Sequence, residues 1–182
     1  MYEFHYSYIK RKYSDRAQLC FTDTDSLLYE FTNVDDIYRD MQEDAHLFDT
    51  SEYPPQHPLH STTNKKKLGK MKDETAGKPI DEFVGLRAKN YSIDCDGVEK
   101  MTCKGVKKAA MRQQVRHAMY LATLLEEKCT SVAQGTIRSR LHQVYSEIQH
   151  KQALSPYDDK RYVLANKVST RAHGHYRNCN DK

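Results

Sequence analysis

The stretch Leu19-Cys20-Phe21-Thr22-Asp23-Thr24-Asp25-Ser26-Leu27-Leu28-Tyr29-Glu30-Phe31 decides how the chain is read. Apolar and aromatic residues run into a polar tip and out of it again. Turn-forming residues between two β-prone runs predict a hairpin, with Ala17–Phe21 and Ser26–Phe31 as its arms. Asp23 and Asp25 alternate, so an extended backbone would turn both to one face. Two carboxylates held together repel unless a cation stands between them, and hard oxygen ligands suit Mg²⁺. A bare D-x-D is common in acidic surface turns. The apolar arms on both sides set this one apart.

The chain has 182 residues, enough for one ordinary domain or two small ones. At 38% hydrophobic and 30% charged residues it is lean and polar for a globular protein. No run is long and apolar enough to cross a membrane. The opening Met1-Tyr2-Glu3-Phe4-His5 lacks the basic-then-apolar pattern of a secretion signal. The five Cys (20, 95, 103, 129 and 179) are scattered and odd in number, with no C-x-x-C. That usage fits free thiols in an intracellular, reducing compartment, the nucleus among the candidates. The net charge of +4 is unevenly placed: residues 1–60 hold 12 acidic and 5 basic side chains, residues 61–182 hold 13 acidic and 24 basic. An acidic part followed by a basic part suits a nucleic-acid enzyme, with drift of surface charge as the plain alternative.

Around the hairpin the chain reads as follows. In residues 1–16 the aromatics Tyr2, Phe4, Tyr6, Tyr8 and Tyr13 fit strand or helix spacing, and serve either as core. After the hairpin, Thr32-Asn33 can cap a helix from about Val34 to Asp44. Val34, Ile37, Tyr38 and Met41 form its apolar face, and its acids form a solvated outer face. Residues 48–64 are Pro-rich and predict an excursion loop; His57 and His60 within it lack the further ligands a zinc site needs. Residues 65–72 carry five Lys, among them Lys67 and Lys70, suited to phosphates or to a solvated loop. Residues 81–93 read as one extended segment, with Asp94-Cys95-Asp96-Gly97 turning into a strand at Val98–Met101.

Two of these segments carry a resemblance. Phe21-Thr22-Asp23-Thr24-Asp25-Ser26 resembles the Y-x-D-T-D-S signature of family B DNA polymerases, with Phe in place of the Tyr. Leu68-Gly69-Lys70, followed by Leu86-Arg87-Ala88-Lys89-Asn90-Tyr91, resembles the segment holding that family's K-x-Y motif. The similarity is to the protein-primed type encoded by transposons and viruses, and it extends broadly over residues 1–110. It implies that Asp25 is a direct metal ligand, with Asp23 in support, for Mg²⁺ in the full enzyme. It implies that Lys89 and Tyr91 stand beside the primer end, where an ammonium pairs with phosphate and a phenol packs on sugar.

Residues 100–116 hold six basic side chains and no acidic one. Helix from Lys107 places Met111, Val115, Ala118, Ala122 and Leu125 on one stripe and Lys108, Arg112 and Arg116 on another, with a break near Val115-Arg116-His117 before it resumes to Lys128. With Lys104 and Lys107, that basic face suits the phosphates of duplex DNA. Val132–Gly135 reads as loop. Thr136–Arg140 and Gln143–Ile148 read as strands, although Ile137, Leu141, Val144 and Ile148 also fit a helix. Ser155-Pro156-Tyr157-Asp158-Asp159-Lys160 reads as a helix start reaching no further than Leu164, and residues 171–182, with His173, His175 and Cys179, as a loosely docked tail.

The expected fold is α+β: a partial palm at 1–101, an antiparallel hairpin with packed helices, and a basic helical and β thumb at 102–182. The family's partner-carboxylate motif, its nucleotide-binding helix and its exonuclease carboxylates are not in this sequence. In the family they precede the hairpin, so the resemblance implies a C-terminal palm–thumb portion, inactive alone. Its partners would be primer–template DNA, dNTP in the full enzyme, and a priming protein or the missing polymerase portion, with no membrane. The rivals are a non-catalytic duplex-DNA-binding module, a structural fragment, and a nuclease, which also needs more carboxylates.

Overall fold

The computed structural model describes residues 1–157, 161–166, 169–172 and 175–179. The chain is mixed α+β, built from small, mostly antiparallel sheets. It divides into two compact units, Met1–Thr102 and Cys103–Lys182.

The first unit opens with a helical segment, wound as π helix over Phe4–Ile9 and as α helix over Lys10–Tyr13 (α1). Helical winding gives the aromatics two fates. Phe4, Tyr8 and Tyr13 turn inward against Ile9, Ala17, Phe31 and Phe48, while Tyr2 and Tyr6 are exposed rather than core. The hairpin follows as β1 (Ala17–Asp23) and β2 (Ser26–Phe31). The second arm is where the sequence puts it, and β1 runs two residues closer to the tip, leaving a turn of two residues, Thr24-Asp25. A bulge between Leu19 and Phe21 places the extra residue at Cys20 and increases the local twist.

Helix α2 spans Ile37–Glu43, three residues shorter at its start than expected. The cap is Asp36, whose Oδ1 accepts from the amides of Tyr38 at 2.9 Å and Arg39 at 3.2 Å. Thr32 and Asn33 lie before it. Two acids here, Asp40 in α2 and Asp44 at its C-cap, are not mere solvated surface. Asp40 accepts from the Tyr13 hydroxyl at 2.7 Å, and Asp44 accepts from the Tyr8 hydroxyl at 2.9 Å and from Lys12 Nζ at 2.6 Å. The Lys12 hydrogen bond, aided by Tyr8, holds the Asp44 carboxyl below its ordinary range.

The Pro-rich stretch is a loop, as its prolines require, but it has a core of its own: Tyr53 and Leu59 are buried with Met41 and Phe48. Asp73 ties it down, accepting from the Tyr53 hydroxyl at 2.6 Å, from the amides of Thr75 and Gly77, and from the Thr75 hydroxyl. Burial pushes the Asp73 carboxyl up, yet these donors outweigh it and the net direction is down. His57 and His60 serve local bonds: His57 Nδ1 accepts from the Leu59 amide, and His60 Nδ1 lies 2.8 Å from the Tyr53 carbonyl. Strands β3 (Phe48–Asp49) and β4 (Met71–Lys72) pair in parallel across the loop.

Residues 81–93 are not one extended segment. They form β5 (Glu82–Arg87) and the start of β6 (Asn90–Cys95), folded back on each other through a two-residue turn, Ala88-Lys89. Nothing in Ala88-Lys89 signals a turn by type; Lys89 takes a φ of 59° that side chains ordinarily avoid. The next turn, Asp96-Gly97, is legible, and both its residues have positive φ, as a D-G hairpin requires. It leads into β7 (Val98–Cys103), completing the sheet order β5-β6-β7.

The second unit holds α3 (Lys108–Gln114) and α4 (His117–Glu126), separated by the break the sequence suggests. The expected stripe survives only as Met111 and Val115, both buried; Ala118 and Leu125 are exposed. The break rotates α4, so its buried residues are His117, Tyr120 and Thr123. Arg116 does not share a helix face with Lys108 and Arg112. It sits in the break with extended backbone, and its guanidinium donates to the carbonyls of Arg112 and Val115, each at 2.8 Å, capping α3.

Val132–Gly135 belongs to a strand, not a loop. β8 (Thr130–Arg140) and β9 (Gln143–Leu154) form one long hairpin through Leu141-His142. Its base is buried at Val132, Ala153 and Leu154; its outer part exposes Ile137, Val144 and Ile148. Beyond it, Ser155 Oγ accepts from the Tyr157 amide in a local turn. Asp158, Asp159 and Lys160 lie outside the described residues. No helix reaches Leu164, since β10 (Arg161–Val163) pairs with β11 (Thr170–Ala172). In the tail, His173 lies outside the described residues and His175 Nδ1 accepts from the Arg177 amide. No helix among the described residues is long and apolar enough to cross a membrane.

Candidate functional site

The tip of the β1–β2 hairpin is tightly wound. The Asp25 amide donates to the Asp23 carbonyl at 2.6 Å, closing a three-residue turn around Thr24 at a φ of 53°. Positive φ in a β-branched residue is a genuine outlier, and this turn form is the strained one. The Ser26 hydroxyl adds a second donor to the same carbonyl at 3.1 Å. Alternation fails here, because an extended backbone through Thr24 is what would set both carboxylates on one face. Asp23 ends β1 half-buried, whereas Asp25 lies in the turn, exposed, with no side-chain hydrogen bond or ion pair among the described residues.

The β5–β6 turn brings the second motif to the first. Lys89 Nζ stands 2.8 Å from both Oδ1 and Oδ2 of Asp23. Thr24 Oγ1 donates to the same Oδ1 at 3.2 Å. Behind this ion pair the rings of Phe21 and Tyr91 lie 4.5 Å apart, and Phe83 completes a trio at 6.2 Å from Phe21 and 6.1 Å from Tyr91. Lys89 is thus fixed by its turn and its carboxylate, and Tyr91 by ring packing on the strand after it. The Tyr91 hydroxyl has no hydrogen-bond partner among the described residues, so it remains a spare donor.

Sequence reasoning missed Phe83 and Gly85. A Cβ on Gly85 would come within 2.9 Å of the Phe83 ring, so the glycine makes the room in which that ring lies. The readable signal was an isolated Gly in a strand, two residues after an aromatic, which marks a close approach.

The other basic candidates divide by what they already hold. Lys67 and Lys70 lie in the loop before β4, with no side-chain hydrogen bond or ion pair among the described residues. In the second unit, Lys104, Lys108 and Arg112 are exposed with side chains likewise uncommitted. Lys107 is engaged: its ammonium donates to the Gly135 carbonyl and its amide to Gln134 Oε1. A cleft of about 700 Å³ in the first unit is lined by Tyr8, Leu28, Tyr38, Met41 and Met71, and by none of Asp23, Asp25 and Lys89.

For a magnesium ion the donor set falls short. Among the described residues no three His, Cys, Asp or Glu side chains gather where they could hold a metal. Of the two carboxylates at the tip, Asp23 already faces an ammonium on both oxygens. These residues alone do not fit the ion, which prefers six oxygens in a near-ideal octahedron. No protein-family model matches the chain, and no curated protein or solved structure matches it.

Proposed function

We propose that the chain is the palm–thumb portion of a DNA-directed DNA polymerase of family B, the protein-primed type. In this reading the tip of the β1–β2 hairpin and the β5–β6 turn face the primer end. Asp25 offers an exposed carboxylate, Lys89 an ammonium for backbone phosphate, and Tyr91 a ring and a free hydroxyl. The exposed Lys104, Lys108 and Arg112 bind duplex phosphates without reading sequence. One observation carries the reading: Lys89 and Asp23, from two motifs 66 residues apart, meet at 2.8 Å. That proximity is what a joint primer-end role for the motifs requires.

Nucleotidyl transfer needs carboxylates from more than one element, and among the described residues no third metal-ligating side chain gathers with Asp23 and Asp25. The remaining ligands, and Mg²⁺ and dNTP with them, belong to a portion of the polymerase outside these residues. The pure chain should therefore bind duplex DNA yet extend no primer. Templated extension by the pure chain, lost in Asp25→Ala, would show that the active site is complete and overturn the assignment as a portion.

A non-catalytic duplex-binding module is the second reading, favoured by the uncommitted basic side chains of α3 and by the ion-paired state of Asp23. Primer extension separates the two: mixing with a palm portion that carries the missing carboxylate restores activity only in the first.

A further inference from the structure

The β1–β2 hairpin is a sheet of two strands, so the far edge of β2 has no neighbouring strand among the described residues. The Thr32 amide donates to the Arg16 carbonyl at 2.9 Å, which fixes the phase of the ladder. Bonded and non-bonded positions alternate in an antiparallel pair, so Phe31 and Tyr29, opposite Ala17 and Leu19, turn their N–H and C=O groups away from β1. Among the described residues those outward groups have no partner. The cleft of about 700 Å³ is lined by all of residues 27–31. Side chains of a strand alternate between two faces, so a cleft that meets five in succession runs along the strand's edge. We propose that this edge takes up an added strand: an extended segment of a partner polypeptide, apolar where it enters the cleft and carrying a basic residue. In the polymerase reading, on which its source rests, the segment belongs to the portion outside these residues.

The chemistry of the cleft selects such an occupant. The free edge presents donors and acceptors at strand spacing; a peptide backbone returns both, whereas a DNA backbone brings only acceptors. The walls beside β2 include Ile37, Met41, Met71 and Ile80, so an inserted segment gains by burying apolar side chains. The charge around the cleft is unbalanced. Glu30, Asp73, Asp81 and Glu82 line it with Lys72 and Lys78, and those two ammoniums already face Glu52 at 2.6 Å and Asp96 at 3.4 Å. A basic residue on the segment offsets that excess. β2 also lacks the devices that shield an edge: it holds no Pro and no Lys, and the bulge of the hairpin lies in β1. A two-stranded hairpin is marginal alone, and a third strand would stabilise it.

The probe is the acetylated and amidated heptapeptide Lys-Val-Thr-Val-Thr-Val-Thr, read by hydrogen exchange of the Tyr29 and Phe31 amides in the full chain. Peptide at about 1 mM should slow both amides by about tenfold. A version N-methylated at every Val and Thr cannot pair through either edge and should protect neither. Equal protection by the two peptides, or no protection of Tyr29 and Phe31 by the plain one, overturns the proposal. Protection that rises with chain concentration in the absence of peptide would assign the edge to a second copy and overturn it as well. The palm portion that carries the missing carboxylate should protect the same two amides. Protection by the heptapeptide and none by that portion would sink the polymerase source and leave the open edge standing.

Discussion

Lys89 and Asp23 stand 66 positions apart in the chain, and the ammonium of one rests on both carboxylate oxygens of the other at 2.8 Å. The pair joins the tips of two hairpins, each with a two-residue turn, a bulge shortly before it, and a residue other than glycine at positive φ. Tips of this kind set side chains tightly and leave them accessible. An open ion pair adds little stability, about 0–1 kcal/mol. The aromatic pair behind it should contribute about 0.5–1.5 kcal/mol beyond burial. Double-mutant cycles in urea are expected to give the larger coupling for Phe21 and Tyr91; a coupling above about 2 kcal/mol for Lys89 and Asp23 would reverse the order.

Thr24 carries backbone strain, and its φ of 53° suits glycine. Strain of this kind costs about 1–3 kcal/mol. Thr24→Gly removes it, together with the bond from Thr24 Oγ1 to Asp23 Oδ1. The strain is the larger effect, so Thr24→Gly should raise the denaturation midpoint. A lowered midpoint would mean that the hydroxyl matters more than the turn.

Gly85→Ala tests the aromatic trio. The new methyl group would come within 2.9 Å of the Phe83 ring, which must swing off Phe21 and Tyr91. Overpacking costs about 1–3 kcal/mol. The expected result is a loss of that order, with the ring-current shifts of Tyr91 moving in the NMR spectrum. Unchanged Tyr91 shifts would show that Phe83 has another place to go.

The chain should lose stability in acid as its lowered carboxyls protonate, Asp44 and Asp73 among them. Asp44 is lowered by its bonds from Lys12 and Tyr8, and Asp73 by donors that outweigh its burial. A carboxyl lowered in the folded state contributes stability present above its unfolded pKa of about 4, and loses it as pH falls through the folded value. The unfolding midpoint should therefore drop as pH falls below about 4. Asp73→Asn should flatten that dependence. At the alkaline end burial pushes Tyr29 up to about 12, so stability should fall as pH rises from about 10 toward that value.

Arg116 and Arg112 should separate folding from binding. Arg116 caps α3 through the carbonyls of Arg112 and Val115, whereas the Arg112 guanidinium is uncommitted. Arg116→Ala is expected to cost about 1 kcal/mol in stability. Arg112→Glu should leave stability nearly unchanged and weaken duplex-DNA binding by anisotropy, with a shallower salt dependence. Equal duplex affinity for wild type and Arg112→Glu would remove α3 from the proposed interface.

By itself the sequence determined what depends on neighbouring residues. The β1–β2 hairpin follows from its apolar arms and polar tip, the Asp96-Gly97 turn from residues that accept positive φ, and the excursion loop from its prolines. The interruption between α3 and α4 was legible too. Only the tertiary structure decided how distant parts meet. The Ala88-Lys89 turn carries no local signal and is held by cross-strand pairing and by the rings around Tyr91. Asp40 and Asp44 look like solvated acids until the opening helical segment brings Tyr8, Lys12 and Tyr13 against them. The outer face of β8–β9 keeps strand pairing although Ile137 and Ile148 also fit a helix, because eleven residues of one strand register against the other. Local sterics and backbone hydrogen bonding are written in short stretches, whereas side-chain pairing needs coordinates in space. The sequence therefore marks Asp23 and Asp25 as a pair, and the fold makes them unequal, with one under an ammonium and the other open to solvent.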